Sequence, residues 1–273
     1  MNGTAKCLCC GLLLCVGAVA APASGQSAGM TEFMALPDAT PSDLPIAMFT
    51  GLPEERMKAL APEGTVRLWR YVFSFTLAGK RVMVDTGMGG ASSTFAKVYP
   101  RSGGTARRPD IILLTHLHAD HIGGLLDGEE ARFPNTAVYI SKPELAHWKE
   151  ATGERAQLAQ KVINAYEGSI VAFDDGQEIL PGLFARYAIG HTPGNALFET
   201  SNMLFIGDLL HGASIQFAHP EVCATFDMDQ PAAIAQRKAW LKKAAESGKS
   251  IAGCHLPHIG KVKLKGAGFE FVK

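Results

Sequence analysis

A chain of 273 residues that is 47% apolar has ample material for a packed core, which excludes a disordered protein. Its 26 Lys and Arg balance 26 Asp and Glu for a formal net charge of +0, so it lacks the basic footprint that grips a nucleic-acid backbone. The length accommodates one α/β domain and requires no second.

At the N-terminus, Lys6 precedes an apolar run from Cys7 to Ala21 that contains the small-x-small site Ala18-Val19-Ala20. A basic start, a short apolar stretch and a small-residue site predict a secretory signal peptide over residues 1–24. The run is too short for a comfortable membrane span, and it has no polar face to suit a surface helix. The expected product is one domain over 25–273, periplasmic or secreted, with no membrane attachment once the leader is gone. Cys7, Cys9, Cys10 and Cys15 leave with that leader. Cys223 and Cys254 stay, either paired or as two buried thiols.

Residues 31–36 read as a strand with Phe33 and Ala35 on one side, and a Pro-punctuated arm follows from Pro37 to Pro62 with a short helix at 54–60. That arm covers either the pocket or a partner subunit, and a homodimer is compatible with both. Residues 67–77 and 81–84 predict a hairpin about the Ala78-Gly79-Lys80 turn. Ile111–Leu114 is continuously apolar, as a strand buried on both faces must be. Further strands are expected at 138–140, 170–173, 203–206 and 250–252. Helices are expected at 143–151, at 154–166 and from an Asp229 cap to Glu246, with Gly248 as its stop. Residues 261–273 read as a last pair of short strands around Gly266 and Gly268. Strands mixed with helices in both halves predict an α/β layered fold with helices outside.

Directly after the apolar strand comes Thr115-His116-Leu117-His118-Ala119-Asp120-His121-Ile122-Gly123-Gly124. Residues i and i+2 of an extended segment point the same way, so His116 and His118 can grip one metal ion. Asp120 and His121, at the turn into the next element, can face a second. Gly123 and Gly124 remove side chains where that element must pack closely.

This segment resembles the H-x-H-x-D-H signature of the metallo-β-lactamase superfamily. Later segments resemble its other motifs in order: Gly190-His191-Thr192-Pro193-Gly194, Phe205-Ile206-Gly207-Asp208 and Gly253-Cys254-His255-Leu256-Pro257. The resemblance implies an αββα sandwich. It implies one ion on His116, His118 and His191, another on Asp120, His121 and His255, and Asp208 bridging them. Such a donor set suits two zinc ions, with manganese, iron or cobalt as substitutes. It also implies hydrolysis, in which a water or hydroxide between the ions attacks the substrate and Asp120 accepts its hydrogen bond. Asp85, at the end of Val82–Val84, either supports a ligand loop or caps a turn.

The stretches 207–211, 219–222, 226–230 and 255–257 most resemble the methyl parathion hydrolase-like branch, which includes acyl-homoserine lactonases and is often exported. His211 stands where lactonases of the superfamily carry a substrate-contacting tyrosine, which implies a contact to substrate or proton donation. Asn195 stands where the branch often has a second histidine. His147, His219 and His258 read as surface or loop residues. The expected partner is a small-molecule lactone or ester. The alternatives are an organophosphate triester hydrolase or a β-lactamase on the same fold, and more remotely a mononuclear-iron dioxygenase or a non-catalytic metal binder.

Overall fold

The computed structural model describes residues 29–91, 93–99 and 108–273. The expected signal segment lies outside the described residues. Two sheets face each other. The first runs in spatial order β1 (Thr31–Pro37), β2 (Tyr71–Leu77), β3 (Lys80–Val84), β4 (Ile111–Leu113), β5 (Ala137–Ser141) and β6 (Ile170–Phe173). The second runs β7 (Glu178–Leu180), β8 (Leu183–Tyr187), β9 (Ala196–Glu199), β10 (Met203–Phe205), β11 (Ser250–Ala252), β12 (Gly260–Lys265) and β13 (Gly268–Val272). Spatial order follows chain order in both, so each sheet is built by adding neighbours in sequence.

Hairpins or short loops join the antiparallel pairs other than β1 and β2, which the segment 38–70 connects, and β3 to β6 pair in parallel, as do β10 and β11. Parallel neighbours need a crossover, and helices supply it. Helices α1 (Lys142–Glu150) and α2 (Glu154–Ala165) connect β5 to β6, and α3 (Gln230–Ser247) connects β10 to β11. The α3 boundaries follow the predicted signals: Asp229 Oδ1 accepts the Ala232 N–H at 3.0 Å, and Gly248 closes the helix at φ 65°.

Three apolar layers hold the sandwich together. Between the sheets, Phe73, Phe75, Val84 and Leu113 meet Phe198, Met203 and Phe205, with the Phe75 and Phe205 rings stacked at 5.1 Å. Outside the first sheet, Met83, Ile112, Val138 and Ile140 pack on Trp148, Ala159 and Val162 of α1 and α2. Outside the second, Leu204, Ile251 and Val262 pack on Leu241 and Ala244 of α3. This is the expected αββα arrangement. Among the described residues no helix is long and apolar enough to cross a membrane.

One expectation changes. The run 67–77 is not one strand: Thr65–Leu68 pairs with Ser42–Pro45 in a separate ribbon, and β2 starts only at Tyr71. The backbone is drawn off at this point because Arg70 O accepts from Asp38 N and Tyr71 N donates to Cys254 O. The arm 37–62 packs on this chain's own residues 215–224, where Phe49 and Met57, with Val66 after the arm, meet Ile215, Val222 and Ala224, and its Leu44 lines a cavity, one of the two placements expected for it. β7, β8 and β9 add to the strands expected from sequence.

Candidate metal centre

Strand ends put the candidate residues at one edge of the sandwich. His116, His118 and His121 follow β4, His191 follows β8, Asp208 follows β10 and His255 follows β11. Asp85, directly after β3, adopts φ 58°, a left-handed conformation that Asp tolerates better than most side chains. Close backbone approach then sets the loop: a Cβ on Gly123 would lie 1.9 Å from Met88 O, and one on Gly124 would lie 2.1 Å from Thr86 O.

Three imidazole nitrogens converge. His116 Nε2 is 3.0 Å from His118 Nδ1, which is 2.9 Å from His191 Nε2, and the third edge measures 3.2 Å. Burial, reinforced by neighbouring histidines, pushes His116 well below the usual imidazole range and His118 down to about 3. Both rings are therefore neutral, with lone pairs available.

The second group lies across Asp208. Asp208 Oδ1 is 3.1 Å from His121 Nε2, and Oδ2 is 3.1 Å from His255 Nε2. The same Oδ2 is 3.4 Å from His191 Nε2 and 3.7 Å from His116 Nε2, so this carboxylate stands between the two groups. Burial opposes its ionisation, but His121, His255, His211 and His116 hold it well below the carboxylate range. Burial works against charge at His121 and His255 too, yet Asp208 and its neighbours outweigh it and both sit well above the imidazole range. Asp120 is at the edge, with Oδ1 3.9 Å from His121 Nε2 and Oδ2 3.5 Å from His255 Nε2. Its Oδ2 also faces Arg70 Nε at 3.8 Å.

Supporting side chains lock the rings. Asp85 Oδ2 lies 2.8 Å from His121 Nδ1, and Asp85 Oδ1 accepts the Thr115 N–H at 2.8 Å. Trp69 O lies 2.8 Å from His255 Nδ1. Asp227 Oδ1 lies 2.9 Å from His191 Nδ1, while Arg237 donates to Asp227 Oδ2 at 3.1 Å. Burial would raise the Asp227 carboxyl, but the His191 hydrogen bond and the surrounding His211, His191 and Arg237 charges bring it down to about 2. Glu144, fully buried on α1, accepts from Leu117 N (2.9 Å), Trp148 Nε1 (2.6 Å), Thr192 Oγ1 (2.7 Å) and Gly194 N (2.9 Å). It ties the loop bearing His116 and His118 to the loop bearing His191.

Sequence reasoning gave no role to Asp227, Arg237 and Glu144, although Asp227 lies in the stretch 226–230 noted for its resemblance. For Glu144 the only signal was Ser141-x-x-Glu144, which reads as an ordinary helix cap. Asn195 is buried and donates to Ala188 O at 3.0 Å, closing the turn behind His191. Cys223 and Cys254 are free buried thiols. His147 and His219 are partly buried away from the centre, and His258 stacks on Phe271.

The donor set fits metal ions. Nitrogens about 2.0–2.1 Å from one tetrahedral zinc are about 3.3 Å apart, close to the edges measured for His116, His118 and His191. Buried His121 Nε2 and Asp208 Oδ1 face each other at 3.1 Å without forming a hydrogen bond, an arrangement that a cation between them would satisfy. A cavity of about 300 Å³ opens over this centre. Leu44, Leu68, Ala119 and Phe226 give it apolar walls, and Arg70, Arg155 and His211 also line it. His211 is buried, with Nε2 3.0 Å from Asp208 Oδ2.

Comparison with known proteins agrees with this geometry. A UPF0173 metal-dependent hydrolase of Ligilactobacillus salivarius (strain UCC118) is 30% identical over 133 residues, 48% of this chain and 54% of that protein. A hydroxyacylglutathione hydrolase of Enterobacter sp. (strain 638) is 34% identical over 106 residues, 38% of this chain and 34% of that protein. The chain thus spans about half the length, or less, of these curated relatives. Among solved structures, AidC, a dizinc quorum-quenching lactonase, superposes with a TM-score of 0.80 at 25% identity, covering 90% of this chain and 96% of that one. The hydrolase AbOPH shares the fold with a TM-score of 0.75 at 24% identity, covering 91% of this chain and 98% of that one. The family model described as the metallo-beta-lactamase superfamily matches residues 70–255, and the chain belongs to that superfamily.

Proposed function

We propose that this protein is a dinuclear metal-dependent hydrolase of lactones or esters. The observation that carries this reading is the place of Asp208, whose two oxygens face His121 and His255 on one side and His191 and His116 on the other. His116, His118 and His191 would hold one ion, and His121, His255 and Asp120 the other, with Asp208 shared. Two divalent ions there supply Lewis-acid polarisation of a carbonyl and a water acidified toward neutrality.

The chain's own residues do the rest. Asp85, Asp227 and the Trp69 carbonyl orient the three imidazoles that they touch, which keeps the reacting geometry preformed. Asp120, partly exposed to the cavity, is placed to accept the nucleophile's hydrogen bond, with Arg70 holding its other side. His211 is kept neutral by burial. Because Asp208 accepts, His211 Nε2 carries the hydrogen, so this ring steadies Asp208 while lining the substrate cavity. The apolar walls suit an acyl chain and exclude water around the scissile bond.

The lactone preference rests on the likeness to AidC, solved in complex with a product N-hexnoyl-L-homoserine. Export to the periplasm or beyond is proposed on the leader composition alone. The test is ring opening of an acyl-homoserine lactone by metal-loaded protein, with Asp208→Ala alongside. Loss of activity together with altered metal content in the variant is expected. Full activity at unchanged metal content would remove Asp208 from between the ions.

A further inference from the structure

The strand end that delivers His255 delivers a second donor beside it. After β11 the chain turns at Gly253–Leu256, where Leu256 N donates to Gly253 O at 3.2 Å. Adjacent side chains of a strand point to opposite faces, but those at the centre of a turn need not. Here Cys254 and His255 face the same space. The ligand atoms of His121, Asp208, Cys254 and His255 all lie within 4.8 Å of one another. Each of the four residues is 3% exposed or less.

Two features suit this space to a cation. His121 Nε2 and Asp208 Oδ1 are buried there facing each other at 3.1 Å, and neither makes a hydrogen bond. The far nitrogens of both imidazoles are engaged, His121 Nδ1 by Asp85 and His255 Nδ1 by the Trp69 carbonyl, so both rings turn Nε2 inward. Asp120 is not in this group, and Arg70 lies on its cavity side. Cys223 differs: its sulfur is directed at Gln230 O (3.6 Å) and Arg237 Nη1 (3.8 Å) on another part of the fold.

The geometry points to Cys254 as a sulfur ligand of the second ion, completing with His121, His255 and Asp208 a donor group of two nitrogens, one oxygen and one sulfur. This rests on the two-ion reading above and puts Cys254 at the second ion in the place there given to Asp120. Around one tetrahedral ion a sulfur at about 2.3 Å and a nitrogen at about 2.0–2.1 Å stand about 3.6 Å apart. The group, whose donor atoms lie within 4.8 Å of one another, closes on one such ion by drawing in by about 1 Å at its widest. Thiolate is a soft ligand, so this position would favour zinc, cobalt or cadmium over manganese or magnesium. Asp120, outside this group of four and lining the cavity, is then free to address the nucleophile.

Cobalt substitution tests this by spectrum rather than by turnover. Metal-free full-length protein is loaded with Co(II), and bound cobalt is counted while the visible and near-ultraviolet spectra are recorded. Two cobalt ions per chain with a near-ultraviolet sulfur-to-cobalt charge-transfer band are expected. That band should vanish in Cys254→Ser and persist in Cys223→Ser. Two bound ions without the band, or a band that survives Cys254→Ser, would overturn the sulfur ligand and leave the two-ion reading intact. Failure to bind two ions in the unsubstituted protein would overturn both. X-ray absorption of the zinc-loaded protein needs no substitution: a sulfur scatterer at about 2.3 Å is expected, and a shell of nitrogen and oxygen alone would contradict it.

Discussion

Asp227 Oδ1 stands 2.9 Å from His191 Nδ1, on the face of the ring opposite the nitrogen that meets His116 and His118. The carboxylate is itself held by Arg237, which is buried and also donates to Leu209 O at 2.8 Å and Val222 O at 2.7 Å. One helix packed on the second sheet thereby sets the angle of a candidate ligand, His191, at the sheet edge. Such supporting carboxylates fix both tautomer and orientation.

Asp227→Asn should therefore weaken metal binding about 10–100-fold without unfolding the protein. Competition against a chelator measures the affinity, and the melting curve checks the fold. Unchanged metal affinity would show that the ring is fixed by packing alone.

Glu144 makes a sharper case because its carboxylate meets four donors in a fully buried place. In Glu144→Gln the amide nitrogen faces donors rather than acceptors. The expected cost is about 2–4 kcal/mol, read as a melting temperature lower by about 5–10 °C. Since the same side chain spans both ligand loops, metal should also dissociate faster from the variant. Glu144→Gln with wild-type melting and metal retention would contradict the proposed tie between the loops.

These residues also show what was legible in the sequence and what was not. His116, His118, Asp120 and His121 stand out because they crowd one short segment behind an apolar strand. His191, Asp208 and His255 gain meaning only from their order after it. Asp227 has no such company: it lies in a loop, and its role depends on α3 folding back to bring up Arg237. Glu144 carries a local signal for helix capping that masks its long-range contacts with Leu117, Thr192 and Gly194. β8 and β9 were hidden for a related reason. Arg186 and Glu199 look like surface residues, yet they pair across those strands, and Glu199 is buried.

Glu199 supplies a pH dependence away from the centre. Burial would raise its pKa, but hydrogen bonds from Lys249 (2.6 Å), Lys243 (3.0 Å) and Arg186 (3.0 Å) lower it from 4.5 to about 2. A depressed carboxyl stabilises the fold above its unfolded pKa and loses that contribution as pH falls through its folded value. The window is thus from about pH 4.5 down to about pH 2. At neutral pH, Glu199→Gln should cost about 1–2 kcal/mol, allowing for screening at the partly exposed Lys243. Denaturant unfolding at a series of pH values should show the gap between the two proteins narrowing across that window. A gap constant with pH would mean that the carboxylate charge contributes nothing.

Gly123 tests the backbone contact beneath the ligand loop. A methyl group there would sit 1.9 Å from the Met88 carbonyl oxygen, so Gly123→Ala must displace either the 86–89 loop or the turn after His121. Loss of soluble folded protein, or of the metal it retains, is the expected outcome in purification and metal analysis. A variant that folds and holds metal normally would show that this contact is not required. By contrast, Gly128→Ala, which meets no heavy atom within 4 Å, should suffer only the strain of its φ of 64°.

A dinuclear hydrolytic centre requires the two groups flanking Asp208 to act together. The most direct measurement is a zinc titration of metal-free protein, with proton release from an acyl-homoserine lactone followed at each addition. Chelator-reversible ring opening that reaches its plateau at two equivalents of zinc per chain is expected. A plateau at one equivalent, or ring opening that persists without metal, would contradict it.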